Sequence, residues 1–116
     1  MPHRRDSVFI AQMVEAAEAA LEFTDGQTAE SFVDDRLVGY AVVRAVQLVG
    51  QAAHRVSAEL QAAHPEIPWR EMIGMRNVVV HDYADVDLSL VWKTVREDLP
   101  GLVRRLNAIV EEGNAS

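Results

Sequence analysis

Cysteine is absent from the 116 residues, which excludes disulfides, thiol nucleophiles and thiolate metal sites and fits a reducing compartment. No signal-peptide apolar core follows Met1-Pro2-His3-Arg4-Arg5-Asp6, so a cytoplasmic location is expected. A membrane span is missing too. The strongest apolar region, Leu37 to Ala53, is interrupted by Arg44, Gln47 and Gln51, which a bilayer core does not accept. Positive charge is scarce: 18 Asp and Glu stand against 11 Lys and Arg, for a net charge of −7. Broad, sequence-blind nucleic-acid binding shows the opposite balance. Any nucleic-acid chemistry must therefore use a local basic site on an acidic body, and the same acidity equally suits a basic partner. Repeats, low-complexity tracts and sustained two-residue alternation are also lacking.

What is present is helical periodicity. Apolar residues make up 49% and charged residues 25%, the balance of one soluble domain with its own core. The expectation is a single domain over residues 1–116. Asp6 is placed to cap a first helix carrying Phe9, Met13, Ala16, Ala17, Ala20 and Leu21 at helical spacing, and Asp25-Gly26 ends it. A second helix starts near Ala29 or Ser31 and runs unbroken to about Leu60. Its middle is apolar around much of its circumference, so it should be central and buried. Asp34-Asp35 reads as a solvated helix start. His64-Pro65-Glu66-Ile67-Pro68 breaks the pattern. A third helix begins at Pro68 or Trp69 and runs towards His81. Asp85 or Asp87 caps a fourth, with Leu88, Val91, Trp92, Val95, Leu99, Leu102, Leu106 and Ile109 on one face. Pro100-Gly101 should kink or split that helix, and the tail from Glu111 should fray. The fold expected is an all-α bundle of four helices, or five if Pro100 splits the last.

The segment Arg76-Asn77-Val78-Val79-Val80-His81-Asp82-Tyr83 carries the chemistry. Arginine supplies a permanent forked cation, and histidine a proton acceptor or donor near neutral pH. Together they are the minimum equipment for metal-free phosphodiester cleavage. On an ideal helix from Trp69, residues Met72, Ile73, Arg76, Val79, Val80 and Tyr83 share one stripe, whereas His81 lies roughly 140° from Arg76. Either the helix ends or unwinds near His81, or a second subunit across a two-fold axis completes the site.

Plainer readings stand beside this one. Arg76 on an apolar stripe can be a structural ion-pair partner of Asp34, Asp35 or Glu71. His81 can serve the final carbonyls of a helix, and Tyr83 can be a core aromatic. His81, Asp82, Asp85 and Asp87 match no strong metal-site spacing, so no metal or cofactor is expected. His3, His54 and His64 are scattered and receive no role.

Taken together, these residues resemble the HEPN superfamily, and within it the HepT-like proteins. The superfamily signature is arginine, a polar residue, a short apolar run and histidine, here Arg76, Asn77, Val78 to Val80 and His81; the HepT-like branch adds a tyrosine two positions later, here Tyr83. Leu48-Val49-Gly50-Gln51-Ala52-Ala53 resembles the family's central helix. Pro68-Trp69 with Met72-Ile73-Gly74-Met75 resembles the start of its motif helix, and Asp98-Leu99-Pro100 its last helix. Gln51 departs from the pattern, where an acidic residue is common.

The resemblance implies a HEPN-like up-down bundle that dimerises through the motif helix. It also implies a metal-independent ribonuclease toxin with Arg76 and His81 catalytic and Asn77 supporting. The implied partner is a minimal nucleotidyltransferase antitoxin that adenylylates Tyr83, and the implied substrate is RNA. Two alternatives from the same superfamily are a non-catalytic nucleotide-binding or adaptor partner of a nucleotidyltransferase, and a helical subunit whose motif only locks a dimer interface.

Overall fold

The apolar residues of the first helix set where the chain folds back on itself. A computed structural model describes residues 5–77 and 86–115, and all regular structure among them is helical. Helix α1 spans Asp6–Phe23 and buries Ile10, Met13, Ala16, Ala17 and Ala20. It stops where Asp25-Gly26 was expected to stop it, with Gly26 at φ 77° in the left-handed region that glycine tolerates. The buried Thr24 hydroxyl lies 3.1 Å from the Ala20 carbonyl and 3.0 Å from that of Leu21, and it accepts from Arg96 Nη1 at 3.2 Å.

The long second helix of the sequence reading is instead three helices. Helix α2 spans Ala29–Asp34 and opens with a capping box between Thr28 and Ser31. Asp35 leaves the helix with extended backbone, and its carboxylate accepts from Val38 N to start α3, Arg36–Arg55. The second cut falls at Val56 and Ser57, both extended, before α4, Ala58–Ala63. A distant residue holds this cut. The Asp6 carboxylate accepts from Ser57 N at 2.9 Å and from Ser57 Oγ at 2.6 Å. Asp6 therefore does not cap α1 as expected; that N-cap is Arg5, without a side-chain bond. Gln61 Nε2 donates to the Val56 carbonyl at 3.0 Å, satisfying a group the break frees.

Helix α3 packs most extensively against α1, and also against α5, Trp69–Gly74. It buries Val42, Val43, Ala45, Val46, Val49, Gly50, Ala52 and Ala53. It is central but not buried all round, because Leu37, Tyr40 and Leu48 are exposed. Trp69 anchors the start of α5, its indole N–H donating to the His64 carbonyl at 2.9 Å. After Gly74 the chain tightens into a 3₁₀ turn over Met75–Asn77.

Asp87 caps α6, Leu88–Lys93, by accepting from Leu90 N at 3.0 Å. A π-helical turn, Thr94–Asp98, joins it to α7, Leu99–Ala115. Pro100 thus neither stops nor splits the last helix into separate rods. Proline cannot donate to the carbonyl four residues back and crowds it, and the widened turn before it absorbs that defect, with Leu99 N bonded to the Thr94 carbonyl. Helix α7 also continues past Glu111, where fraying was expected. Phe32 from α2 is fully buried and meets Trp92 of α6 with ring centroids 5.4 Å apart. This contact closes the core formed with Val95, Leu99, Leu102 and Leu106. No helix of the described residues is long and apolar enough to cross a membrane.

Candidate active site

The motif arginine is positioned by backbone packing between α3 and the turn that follows α5. Gly50 is buried in the middle of α3, and a Cβ built there would overlap the backbone nitrogen of Arg76 and stand 2.8 Å from the Met72 carbonyl oxygen. Both obstacles are main chain, so neither can swing away. Only glycine lets the motif segment lie this close to the central helix. Met72 is buried and Ile73 half-buried, as the apolar stripe required.

Arg76 departs from the stripe. It is exposed, as is Asn77. The helical projection assumed 100° per residue throughout, whereas the 3₁₀ turn at Met75–Asn77 advances about 120° per residue and swings the side chains outward. Among the described residues no ion pair joins Arg76 to Asp34, Asp35 or Glu71, so the structural ion-pair reading has no support there.

Arg76 and Asn77 form one wall of a groove of about 430 Å³ whose other wall is the last turns of α3: Gln51, His54 and Arg55. Among the described residues no carboxylate lines this groove. The described side chains that line it are two guanidinium groups, an imidazole and two amides. Such groups receive anions. Gln51, where the family pattern more often has an acid, lies in the groove itself. A larger groove of about 610 Å³ between α1 and α3 shares Gln51 and Arg55 with it, but Ala16, Ala19, Ala45, Leu48 and Ala52 make it mainly aliphatic.

In the sequence His54 is one of three scattered histidines without a role and Arg55 carries no motif; the structure places both in the last turn of α3, facing this groove. Gly50 left a better signal, since glycine inside a helix costs about 1 kcal/mol relative to alanine and calls for a reason. His81 and Tyr83, expected as catalytic and modified residues, lie outside the described residues, as do Asp82 and Asp85. Asp87 serves as the cap of α6. Among the described residues no group of three His, Asp or Glu side chains is placed to hold a metal ion.

Comparison with known proteins covers nearly the whole chain. The family model described as ribonuclease HepT-like matches residues 13–109. A Methanocaldococcus jannaschii protein named as a candidate RNase is 31% identical over 109 residues, which are 94% of this chain and 100% of that one. A Thermococcus cleftensis protein named as a probable ribonuclease HepT is 40% identical over 94 residues, 81% of this chain and 86% of that one. A protein of Caldanaerobacter subterraneus, also named as a candidate RNase, is 27% identical over 104 residues, covering 90% and 93% of the two chains. No solved structure gives a significant match.

Proposed function

The chain belongs to the HepT-like ribonuclease family, and from that membership we propose that it is a metal-independent endoribonuclease, the toxin of a toxin–antitoxin pair, acting as a homodimer. The observation that carries this reading is the groove between Arg76, Asn77 and the end of α3, which no carboxylate among the described residues lines. Among the described residues, a phosphodiester entering it meets two guanidinium groups, an imidazole and two amides.

Arg76 grips the non-bridging oxygens and stabilises the charge that grows on them in the transition state. His81 takes the proton of the ribose 2′-hydroxyl as general base, or delivers one to the leaving 5′-oxygen as general acid. Asn77 orients the histidine or adds a contact to the phosphate. The 2′-oxygen bonds to phosphorus as the bond from phosphorus to the 5′-oxygen breaks. The products are a 2′,3′-cyclic phosphate and a 5′-hydroxyl, and DNA resists because it lacks the attacking group. Two copies of the segment meeting across a two-fold axis complete each site, one supplying the arginine and the other the histidine.

The partner that silences the enzyme is a minimal nucleotidyltransferase. Adenylylation of Tyr83 adds bulk and negative charge in the motif, which blocks substrate and neutralises Arg76. The test is incubation of RNA with the purified chain in EDTA, wild type beside His81→Ala, with end-group analysis of the fragments. Cyclic phosphate ends from the wild type alone are expected. Cleavage that persists in the variant, or nucleotide binding with no cleavage by the wild type, overturns the mechanism.

A further inference from the structure

The groove extends beyond what bond cleavage requires. Arg76 and Asn77 are the motif's share of it; His54 and Arg55 come from another helix and belong to no motif read in the sequence. Both sit in the last turn of α3, where attraction to the helix dipole favours positive charge anywhere around the turn. The dipole does not explain why both line the same groove as Arg76, a groove that no carboxylate among the described residues lines. Arg55 is also steered: its guanidinium carbon stands 6.0 Å from the centre of the Phe9 ring of α1, within cation–π range. It lies where the motif groove meets a second groove, lined by Arg5, Val8, Phe9, Ser57 and Asp6, whose carboxylate is engaged by Ser57. Gly50, one turn earlier on α3, fixes the distance between this helix end and the motif backbone.

Resting on the ribonuclease reading, we propose that His54 and Arg55 form a backbone-binding subsite for the phosphate next to the scissile one, so that the RNA strand leaves Arg76 along the end of α3 towards α1. The two residues bind and align substrate; they make and break no bond. Their removal weakens RNA binding and raises KM while kcat at saturation is kept. Gln51 lies in the same groove, and a carboxylate introduced there opposes the strand by charge.

The probe is a fluorescent 2′-O-methyl oligoribonucleotide, which lacks the attacking hydroxyl and stays intact, titrated with the full chain at several salt concentrations. Arg55→Gln is expected to raise Kd about five- to tenfold, the loss of one charge-assisted contact. It should also flatten the plot of log K against log salt by about 0.7, the single-strand value for one phosphate. His54→Ala and Gln51→Glu are expected to weaken binding in the same direction. Arg104→Gln, which removes the same charge from an exposed position on α7, controls for net charge and should change neither quantity.

If the wild type cleaves RNA while Arg55→Gln and His54→Ala keep its Kd, KM and salt slope, the subsite is wrong and the ribonuclease reading stands. If Arg104→Gln weakens binding as much as Arg55→Gln, only overall charge is at work and the subsite is likewise refuted. A wild type that neither binds the probe nor cleaves RNA sinks both.

Discussion

Gly50 and Arg76 meet main chain to main chain: the space that a side chain on the first would need is already occupied by the backbone nitrogen of the second. Replacing Gly50 by alanine gains about 1 kcal/mol of helix propensity and forces overpacking against rigid backbone, which typically costs about 1–3 kcal/mol. The expected outcome is a less stable chain whose RNA cleavage falls because the motif turn is pushed off α3. Gly74→Ala is the contrast, since a Cβ there meets nothing within 4 Å. It should be neutral, or stabilise by up to about 1 kcal/mol through the unfolded state. Urea unfolding of the two variants beside the wild type measures the difference, and equal midpoints for both would contradict it.

A site shared between subunits makes a mixing experiment informative. Arg76→Gln and His81→Ala chains should each be inactive. When they are unfolded together and refolded as a mixture, half the dimers are mixed and each carries one intact combination, so about a quarter of wild-type activity should return. A mixture as inactive as its parents would show that arginine and histidine act within one chain.

Tyr83→Phe separates catalysis from its control. The variant should retain RNA cleavage and fail to gain the mass of an adenylate when incubated with ATP, magnesium and the nucleotidyltransferase partner. Intact-protein mass spectrometry reads the result directly. An adenylate still added to the phenylalanine variant would place the modification elsewhere.

Asp6→Ala should lower stability by about 1–3 kcal/mol, because Ser57 N and Oγ lose a buried acceptor at the α3–α4 break. Denaturant midpoints measure it, and an unchanged midpoint would mean that water replaces the carboxylate at no cost.

The sequence announced most helix positions and the Arg76 motif because both rest on local signals: apolar residues three and four apart, prolines at 65 and 68, Asp25-Gly26, and a short arginine–histidine spacing. The cuts in the long second helix were hidden because residues 29–60 have good helical periodicity throughout, although each cut has a local cap, Asp35 for Val38 N and Ser57 for Leu60 N. At Ser57 the break is also held by something no local pattern shows, a carboxylate from position 6. The outward turn of Arg76 was hidden for a related reason: a 3₁₀ turn over three residues leaves no mark on a pattern read at 100° per residue. His54 and Arg55 became legible only when α3 was seen against the motif turn, about twenty positions further along the chain.

The Asp6–Ser57 contact also says something about the order in which the molecule assembles. It closes a loop of 51 residues, and loop closure must be met in entropy before the contact returns any stability. Until α1 has docked, nothing distant marks where α3 ends, and its last turns are free to run on into α4. The helix end that presents His54 and Arg55 is therefore defined by the same event that pins the start of the chain to its middle. On a refolding time course, α1 docking and formation of the groove should share one rate.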